Sequence, residues 1–229
     1  MIKAVFIDID DTLLDFDAYV KWAMKSGFEK YALKPYEEEM FKVFEEINNS
    51  LWDRIEKGTL DFKGLEKIRF NRIFEKLGID FDGEVFEKYF RECIWDSAIE
   101  VDGAKRMLDY LSNKYILCVA SNGPYEQQKH RLELGGMLEY FDFVFISEKF
   151  GVSKPEAGFF EKAFEELNAG ISEPISPAEC VMLGDSLRSD IAGGKNFGMK
   201  TVWFNRRKIK TTHSADFEIT EPEEIEDIL

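Results

Sequence analysis

Cysteine, histidine and long apolar runs are all scarce in this chain of 229 residues. Its three cysteines, Cys93, Cys118 and Cys180, do not have the spacing of a metal site. We expect reduced, buried thiols and a cytoplasmic location. The two histidines lie in polar segments and are expected to face solvent. No apolar run approaches the length of a membrane span, and the run before Asp8 is too short for a signal peptide, so no membrane association is predicted.

Basic residues are outnumbered, with 30 Lys and Arg against 45 Asp and Glu, and the formal net charge is -15. Because sequence-independent binding to nucleic acid needs basic surface, this charge argues against a nucleic acid polymer as a partner. An anionic substrate would need local positive charge, from a metal ion or a lysine, to bind against this field. The composition is otherwise ordinary for a globular protein, with 45% hydrophobic residues.

A short apolar run at residues 4–7 leads directly into Asp8, Asp10 and Asp11. Such a run, containing Val, Phe and Ile, predicts a strand buried on both faces, as in a parallel sheet. Asp8 and Asp10 are two residues apart, so we expect their side chains to point the same way. Two carboxylates about 4 Å apart repel by about 4 kcal/mol at an effective dielectric near 20, and a hard divalent cation would offset this. The alternative is an Asp-rich turn that ends the strand.

Two kinds of pattern follow this strand. Residues 16–98 show helical periodicity and no convincing strand, with a predicted N-cap at Asp61. From Val101 onward, short apolar runs alternate with helical segments. This alternation predicts right-handed βαβ units, hence an α/β fold with a doubly wound parallel sheet. Residues 1–15 and 99–229 would form that core, and residues 16–98 an all-helical insertion. The further strands are predicted at residues 115–120, 143–146, 180–183, 201–204 and 217–219.

Polar residues also follow the next three predicted strands. Ser121 and Asn122 follow the second, Lys154 begins a helix after the third, and Asp185 follows the fourth. Since ligands bind beyond the carboxyl ends of parallel strands, we expect these residues to converge with the first carboxylates. Each has a simpler interpretation, as a turn, a solvated lysine or a helix cap. Convergence of all of them is harder to explain by turn chemistry.

These segments resemble the four ordered motifs of the haloacid dehalogenase (HAD) superfamily: Asp8-Ile9-Asp10-Asp11-Thr12-Leu13, Ser121-Asn122-Gly123, Lys154-Pro155, and Gly184-Asp185-Ser186 with Asp190. The resemblance covers the whole chain, including a helical C1-type cap inserted after the first motif. It implies a Rossmann-like core and a phosphoric monoester hydrolase, because a dehalogenase would be expected to lack the acid at position 10. It also implies Mg²⁺ as cofactor, a small-molecule phosphate monoester as substrate, and a monomer or homodimer.

The resemblance further implies a role for each motif residue. Asp8 would be the nucleophile that forms an aspartyl-phosphate. Asp10 would be the general acid for the leaving alcohol and then the base for water. Lys154 would pair with both Asp8 and the phosphoryl group.

Phosphate and metal binding are implied in the same way. Phosphate oxygens would be bound by four residues of the motifs: Ser121, Asn122, Gly123 and Lys154. Asp185 would ligate Mg²⁺ together with the Asp8 side chain and the Asp10 backbone carbonyl. Asp190 would lie behind these ligands or hold a metal-bound water.

Residues 10–16 and parts of the helical insertion resemble the noncanonical pyrimidine 5'-nucleotidase branch, which acts on pyrimidine and modified nucleoside monophosphates. The segments in the insertion are Ile47-Asn48, Leu51-Trp52, Glu56-Lys57-Gly58 and Arg69-Phe70. The broad alternative is a phosphatase for sugar or sugar-acid phosphates. Three more distant classes are a sugar-phosphate mutase, a receiver-like signalling domain, and a binding protein that kept the metal site without turnover. A mutase would release little net phosphate, and a receiver domain would need neither Asp10 nor the cap.

Two further groups are interpreted as structural. The basic run Arg206-Arg207-Lys208, with Lys210, is expected to be a solvated loop. Four aromatic residues of the insertion are expected to pack its helices together, although one or two could face the substrate: Phe44, Trp52, Phe70 and Phe74.

Overall fold

A computed structural model describes residues 1–229 and contains two compact units. One unit comprises Met1–Asp15 and Ala98–Leu229, and the other comprises Phe16–Ser97. The first unit is α/β and the second is entirely helical, so the predicted fold class is confirmed. None of the helices combines the length and the apolar character that a membrane span requires.

The α/β unit is built on one six-stranded sheet in which every pair of neighbours is parallel. Its strands are β1 (Ala4–Ile7), β2 (Ile116–Ser121), β3 (Phe143–Ile146), β4 (Cys180–Gly184), β5 (Lys200–Phe204) and β6 (Phe217–Ile219). Their order across the sheet is β3-β2-β1-β4-β5-β6, so β1 lies in the interior of the sheet. The residues of β1 alternate between two apolar clusters, with Val5 and Ile7 in one and Ala4 and Phe6 in the other. This explains why the strand is a continuous apolar run.

Helices connect the strands of this sheet. They are α5 (Ala104–Ser112), α6 (Tyr125–Leu134), α7 (Ser147–Phe150), α8 (Ala157–Gly170) and α9 (Gly193–Phe197), where α1 to α4 belong to the other unit. A π-helical turn, Leu187–Ala192, lies between β4 and α9. Each parallel crossover therefore returns the chain to the same edge of the sheet, and the loops that follow β1, β2 and β4 lie side by side.

The helical unit consists of α1 (Phe16–Lys30), α2 (Glu38–Glu56), α3 (Phe62–Leu77) and α4 (Gly83–Trp95). Asp61 caps α3, as predicted, by accepting a hydrogen bond from the Gly64 backbone N–H at 2.7 Å. Gly78 ends the same helix in the left-handed conformation, with φ 64°. The predicted aromatic packing is also present: Phe44, Phe70 and Phe74 are buried in the core of this unit, and Trp52 packs against Phe62.

An ion pair is buried inside the helical unit. Arg69 of α3 donates to Glu87 of α4 through Nε at 3.0 Å and Nη2 at 2.5 Å. Its Nη1 donates to Asn48 Oδ1 of α2 at 3.0 Å. The guanidinium also lies 4.7 Å from the centre of the Phe90 ring. One side chain therefore joins three helices through contacts that water does not reach.

Candidate active site

Lys154 lies at the centre of the predicted site, in the loop before α8. Its side chain is 1% exposed and its Nζ atom donates three hydrogen bonds. They go to Asp8 Oδ1 at 2.8 Å, Asp190 Oδ1 at 2.6 Å and the Ala120 carbonyl at 2.5 Å. Burial lowers the pKa of Lys154, but the carboxylates of Asp190 and Asp8 more than offset it and raise the pKa above its ordinary value. The lysine is therefore a fixed positive charge beside Asp8.

A third carboxylate, Asp185, lies beside the two that contact this lysine. Oxygens of Asp8, Asp185 and Asp190 all lie within 4.8 Å of one another. Burial raises the pKa of Asp8 to about 7 against the opposing effect of Lys154, and burial with neighbouring carboxylates raises the pKa of Asp185 well above its usual range. A single lysine cannot neutralise three carboxylates. A set of carboxylate oxygens with surplus negative charge fits a hard divalent cation such as Mg²⁺.

Asp190 differs from the other two because both of its oxygens already accept from the protein. Oδ1 accepts from Lys154 at 2.6 Å, and Oδ2 accepts from the Ser186 backbone N–H at 3.0 Å. A Cβ atom on Gly184 would lie only 2.2 Å from Asp190 Oδ2, so a glycine is required at the end of β4. Asp190 therefore holds Lys154 and the loop after β4 in position beside the other two carboxylates.

The Asn122 side chain connects the Lys154 backbone to the end of β2 through two hydrogen bonds. Its Oδ1 accepts from the Lys154 backbone N–H at 2.8 Å, and its Nδ2 donates to the Lys154 carbonyl at 2.9 Å. Beside it, Ser121 Oγ accepts from the Gly123 backbone N–H at 3.2 Å. The second motif therefore lies beside Lys154, and its asparagine uses both polar ends of its side chain to hold the lysine in place.

Asp10 has different partners from Asp8. Its Oδ1 accepts from Arg131 Nη1 at 2.7 Å, and its Oδ2 accepts from Gln128 Nε2 at 2.7 Å. The Asp10 side chain is 34% exposed, whereas Arg131 is 1% exposed and Gln128 is fully buried. Neither Gln128 nor Arg131 is among the residues predicted from the sequence. Their spacing of three on α6 places them on one helix face, but nothing local identifies Asp10 as their partner.

The basic run after β5 is only partly solvated. Arg206 Nη2 contacts Asp15 Oδ2 at 2.8 Å, and Arg207 Nη2 contacts Asp11 Oδ2 at 2.8 Å. The prediction of a solvated loop is therefore wrong for Arg206, which is half-buried, whereas Arg207, Lys208 and Lys210 are exposed as predicted. Asp11 has a φ of 59°, a left-handed conformation that aspartate tolerates better than most residues. The two arginines thus brace the turn that follows β1.

Asp185 is held through its backbone. Trp203 of β5 donates from Nε1 to the Asp185 carbonyl at 2.8 Å. His213 is exposed, as predicted, and it also packs against the Trp203 ring with 4.8 Å between ring centres and contacts Glu218 at 3.0 Å. The chain between β5 and β6 therefore supports the loop that carries Asp185.

Comparison with known proteins gives the same family as the motifs. The family model for haloacid dehalogenase-like hydrolases matches residues 2–198. The chain is 32% identical to the pyrimidine 5'-nucleotidase PynA of Streptococcus pneumoniae over 217 residues, which cover 93% of this chain and 88% of that protein. It is 30% identical to a glyceraldehyde 3-phosphate phosphatase of Pyrococcus furiosus, with 100% of this chain and 93% of that protein covered.

A solved structure is also similar over almost the full length. It is the HAD-hydrolase YfnB of Bacillus subtilis, described as bound to magnesium, with a TM-score of 0.88 and 29% identity. The match covers 99% of this chain and 98% of that one. Since the family model spans most of the chain and the relatives align along nearly all of it, the chain belongs to the haloacid dehalogenase-like hydrolase family.

Proposed function

We propose that this hydrolase is a Mg²⁺-dependent phosphoric monoester hydrolase that acts on small molecules through an aspartyl-phosphate on Asp8. The observation that carries the proposal is the contact of Asp8 with the buried Lys154, beside Asp185 and Asp190. A carboxylate is a weak nucleophile, so it needs a fixed position and nearby positive charge for the phosphoryl group. Lys154 supplies both, in a chain whose formal net charge of -15 would otherwise repel an anionic substrate.

The reaction would have two halves. In the first, an oxygen of Asp8 bonds to phosphorus as the bond to the leaving alcohol breaks, and Asp10 gives its proton to the leaving oxygen. In the second, Asp10 accepts a proton from water as that water bonds to phosphorus. The bond between Asp8 and phosphorus then breaks and inorganic phosphate leaves.

Other groups of this chain would hold the phosphoryl group and the cation. The Ser121 hydroxyl and Lys154 would donate to phosphoryl oxygens. The Asn122 side chain and the Gly123 backbone N–H, also predicted to bind phosphate, already hydrogen-bond to the Lys154 backbone and to Ser121 Oγ. The carboxylates of Asp8 and Asp185, with the Asp10 backbone carbonyl, would hold Mg²⁺. When bound, the ion would offset the negative charge of the phosphoryl oxygens.

Pyrimidine-type nucleoside 5'-monophosphates are the substrates that we favour. The similarity to PynA, at 32% identity over 93% of the chain, supports this choice. Small sugar phosphates are the second candidate. The similarity to a glyceraldehyde 3-phosphate phosphatase, at 30% identity over 100% of the chain, favours them.

A panel of phosphate monoesters, assayed with Mg²⁺ and with EDTA, tests both parts of the proposal. We expect Mg²⁺-dependent phosphate release with the highest kcat/KM for UMP or TMP, above AMP, glyceraldehyde 3-phosphate and hexose phosphates. Preference for a sugar phosphate would overturn the nucleotidase assignment and keep the phosphatase. Conversion of a hexose phosphate to its isomer with little net phosphate would instead indicate a mutase, and no turnover of any ester would refute the phosphatase proposal.

The Asp10→Asn variant separates proton transfer from metal binding. An amide cannot deliver the proton, so we expect kcat for UMP to fall by about 10²-fold or more. Mg²⁺ affinity should change little, since only the backbone carbonyl of this residue is assigned to the ion. Initial rates and isothermal titration with Mg²⁺ measure the two effects. Loss of Mg²⁺ binding with unchanged rates at saturating metal would contradict the role assigned to Asp10.

A further inference from the structure

We propose that Gln128 and Arg131 are positioning residues for Asp10, the acid–base carboxylate, and that they link it to the phosphate-binding Ser121. This inference rests on the proposed phosphatase function. It assigns to the buried face of α6 a part in the reaction that the four motifs do not include.

Both side-chain oxygens of Asp10 accept hydrogen bonds from these two residues. Arg131 Nη1 donates to Oδ1 at 2.7 Å, and Gln128 Nε2 donates to Oδ2 at 2.7 Å. Such a two-point contact fixes the rotation of the carboxyl group about its own axis. Each carboxylate oxygen has a second lone pair, so these two hydrogen bonds leave a lone pair free for the proton that Asp10 has to carry.

The same two side chains are tied to each other and to Ser121. Arg131 Nη1 also donates to Gln128 Oε1 at 2.9 Å, and Gln128 Nε2 also donates to Ser121 Oγ at 3.0 Å. Gly123 allows this arrangement, because a Cβ atom there would lie 2.6 Å from Gln128 Nε2. A continuous hydrogen-bonded chain thus joins the proton carrier to the hydroxyl assigned to phosphate.

The burial of Arg131 and Gln128 indicates that this series of hydrogen bonds serves the site and is not there for packing alone. Arg131 is 1% exposed and Gln128 is fully buried, whereas Asp10 is 34% exposed. Burying a guanidinium is costly, and apolar side chains would fill the same space at a smaller cost in free energy. The buried partners therefore hold a carboxylate whose free side remains accessible to water and substrate.

The leaving group of the substrate distinguishes positioning from structural support. UMP has an alkoxide leaving group that needs a proton, whereas p-nitrophenyl phosphate releases a stable phenolate that needs none. We expect Arg131→Met to lower the rate of aspartyl-phosphate formation, measured by rapid quench, by about 10²-fold with UMP and by about threefold or less with p-nitrophenyl phosphate, because in this half of the reaction only the alkoxide needs the proton of Asp10. KM for UMP should stay near the parent value. Arg131→Lys, which keeps a donor and the charge, should recover part of the UMP rate.

Matched variants complete the test. Lys129→Met, at an exposed position of the same helix, should leave both rates unchanged. Equal losses for the two esters, or no loss for either, would overturn the positioning role. If Arg131→Met does not fold by circular dichroism, Gln128→Leu takes its place and must show the same split between the esters, or the role is refuted. A parent protein that hydrolyses no ester of the panel would refute the proposed function itself, and this outcome is seen without any variant.

Discussion

The Asp8→Asn variant should lose kcat for phosphate monoesters by about 10⁴-fold or more, the scale at which removal of a nucleophile acts. The amide has no anionic oxygen that can bond to phosphorus, so no aspartyl-phosphate forms. Its side-chain oxygen can still accept from Lys154, which contacts Asp8 Oδ1 at 2.8 Å in the parent. Phosphate release at saturating Mg²⁺ measures the loss, and mass spectrometry of the quenched parent enzyme should find phosphate on the peptide that contains residue 8. Normal turnover by Asp8→Asn would exclude Asp8 as the nucleophile.

Stability provides the control for that variant. Burial raises the pKa of Asp8 to about 7, against an ordinary value near 4 in the unfolded chain. The folded state therefore binds this proton more tightly, and the group destabilises the folded state progressively as the pH rises from about 4 through about 7. Asparagine removes this dependence. In EDTA, the Tm of Asp8→Asn should equal or exceed that of the parent at pH 8, and the difference should shrink at pH 5. A variant markedly less stable than the parent at pH 8 would mean that its inactivity reflects unfolding.

The Arg69→Leu variant should lose about 3–5 kcal/mol of unfolding free energy, because it leaves a buried carboxylate without its cation. Glu87 is 3% exposed, and the Arg69 guanidinium also holds Asn48. Chemical denaturation followed by tryptophan fluorescence measures the effect. Three of the four tryptophans lie in the helical unit and report its unfolding: Trp22, Trp52 and Trp95.

Two further variants show whether the unpaired charge is the cause. Arg69→Leu/Glu87→Leu should recover most of the loss, since apolar side chains often replace a buried ion pair at little cost. Lys76→Leu breaks the exposed contact between Lys76 and Glu46 and should cost less than about 1 kcal/mol. If the double variant is no more stable than Arg69→Leu, the unpaired carboxylate is not what destabilises it.

The stability lost in Arg69→Leu should also depend on pH. Burial raises the pKa of Glu87, and Arg69 opposes that rise. Without Arg69 the pKa should rise further, so protonation at lower pH should return part of the lost stability.

Much of the sheet could be predicted because each strand carries its own signal. A strand covered on both faces is a short apolar run, and the run predicted at 180–183 corresponds to β4 at Cys180–Gly184. Periodicity could not reveal the π-helical turn at Leu187–Ala192. Its repeat is too close to that of an α-helix to leave a separate pattern over six residues.

Those residues of the candidate site that directly follow a strand could be predicted from their position in the sequence. Residues that directly follow buried strands, such as Asp8 and Asp185, have to lie at the edge of the sheet. Arg131 and Arg207 could not be found in this way. They lie in polar stretches that look solvated, and their partners are the distant Asp10 and Asp11. Pairing across such separations depends on the assembled fold and has no local signature.

Two residues of the helical unit bear on the choice of substrate. Asn48 and Arg69, which carry part of the resemblance to pyrimidine nucleotidases, contact each other inside that unit. Similarity at these residues therefore reflects how the helices pack. The panel of phosphate esters, rather than the resemblance, has to decide between nucleotide and sugar phosphate.

During synthesis, β1 leaves the ribosome long before either of its neighbours. Ala4 pairs with Ile116 on one side and with Cys180 on the other, so the strand that leads to Asp8 has no partner until β2 is made and only one until β4 is made. The helical unit Phe16–Ser97 is translated in between and has an aromatic core of its own. A nascent chain cut short before β4 would hold a packed helical unit and an apolar strand with one edge unpaired, and truncated products of this kind are prone to aggregate.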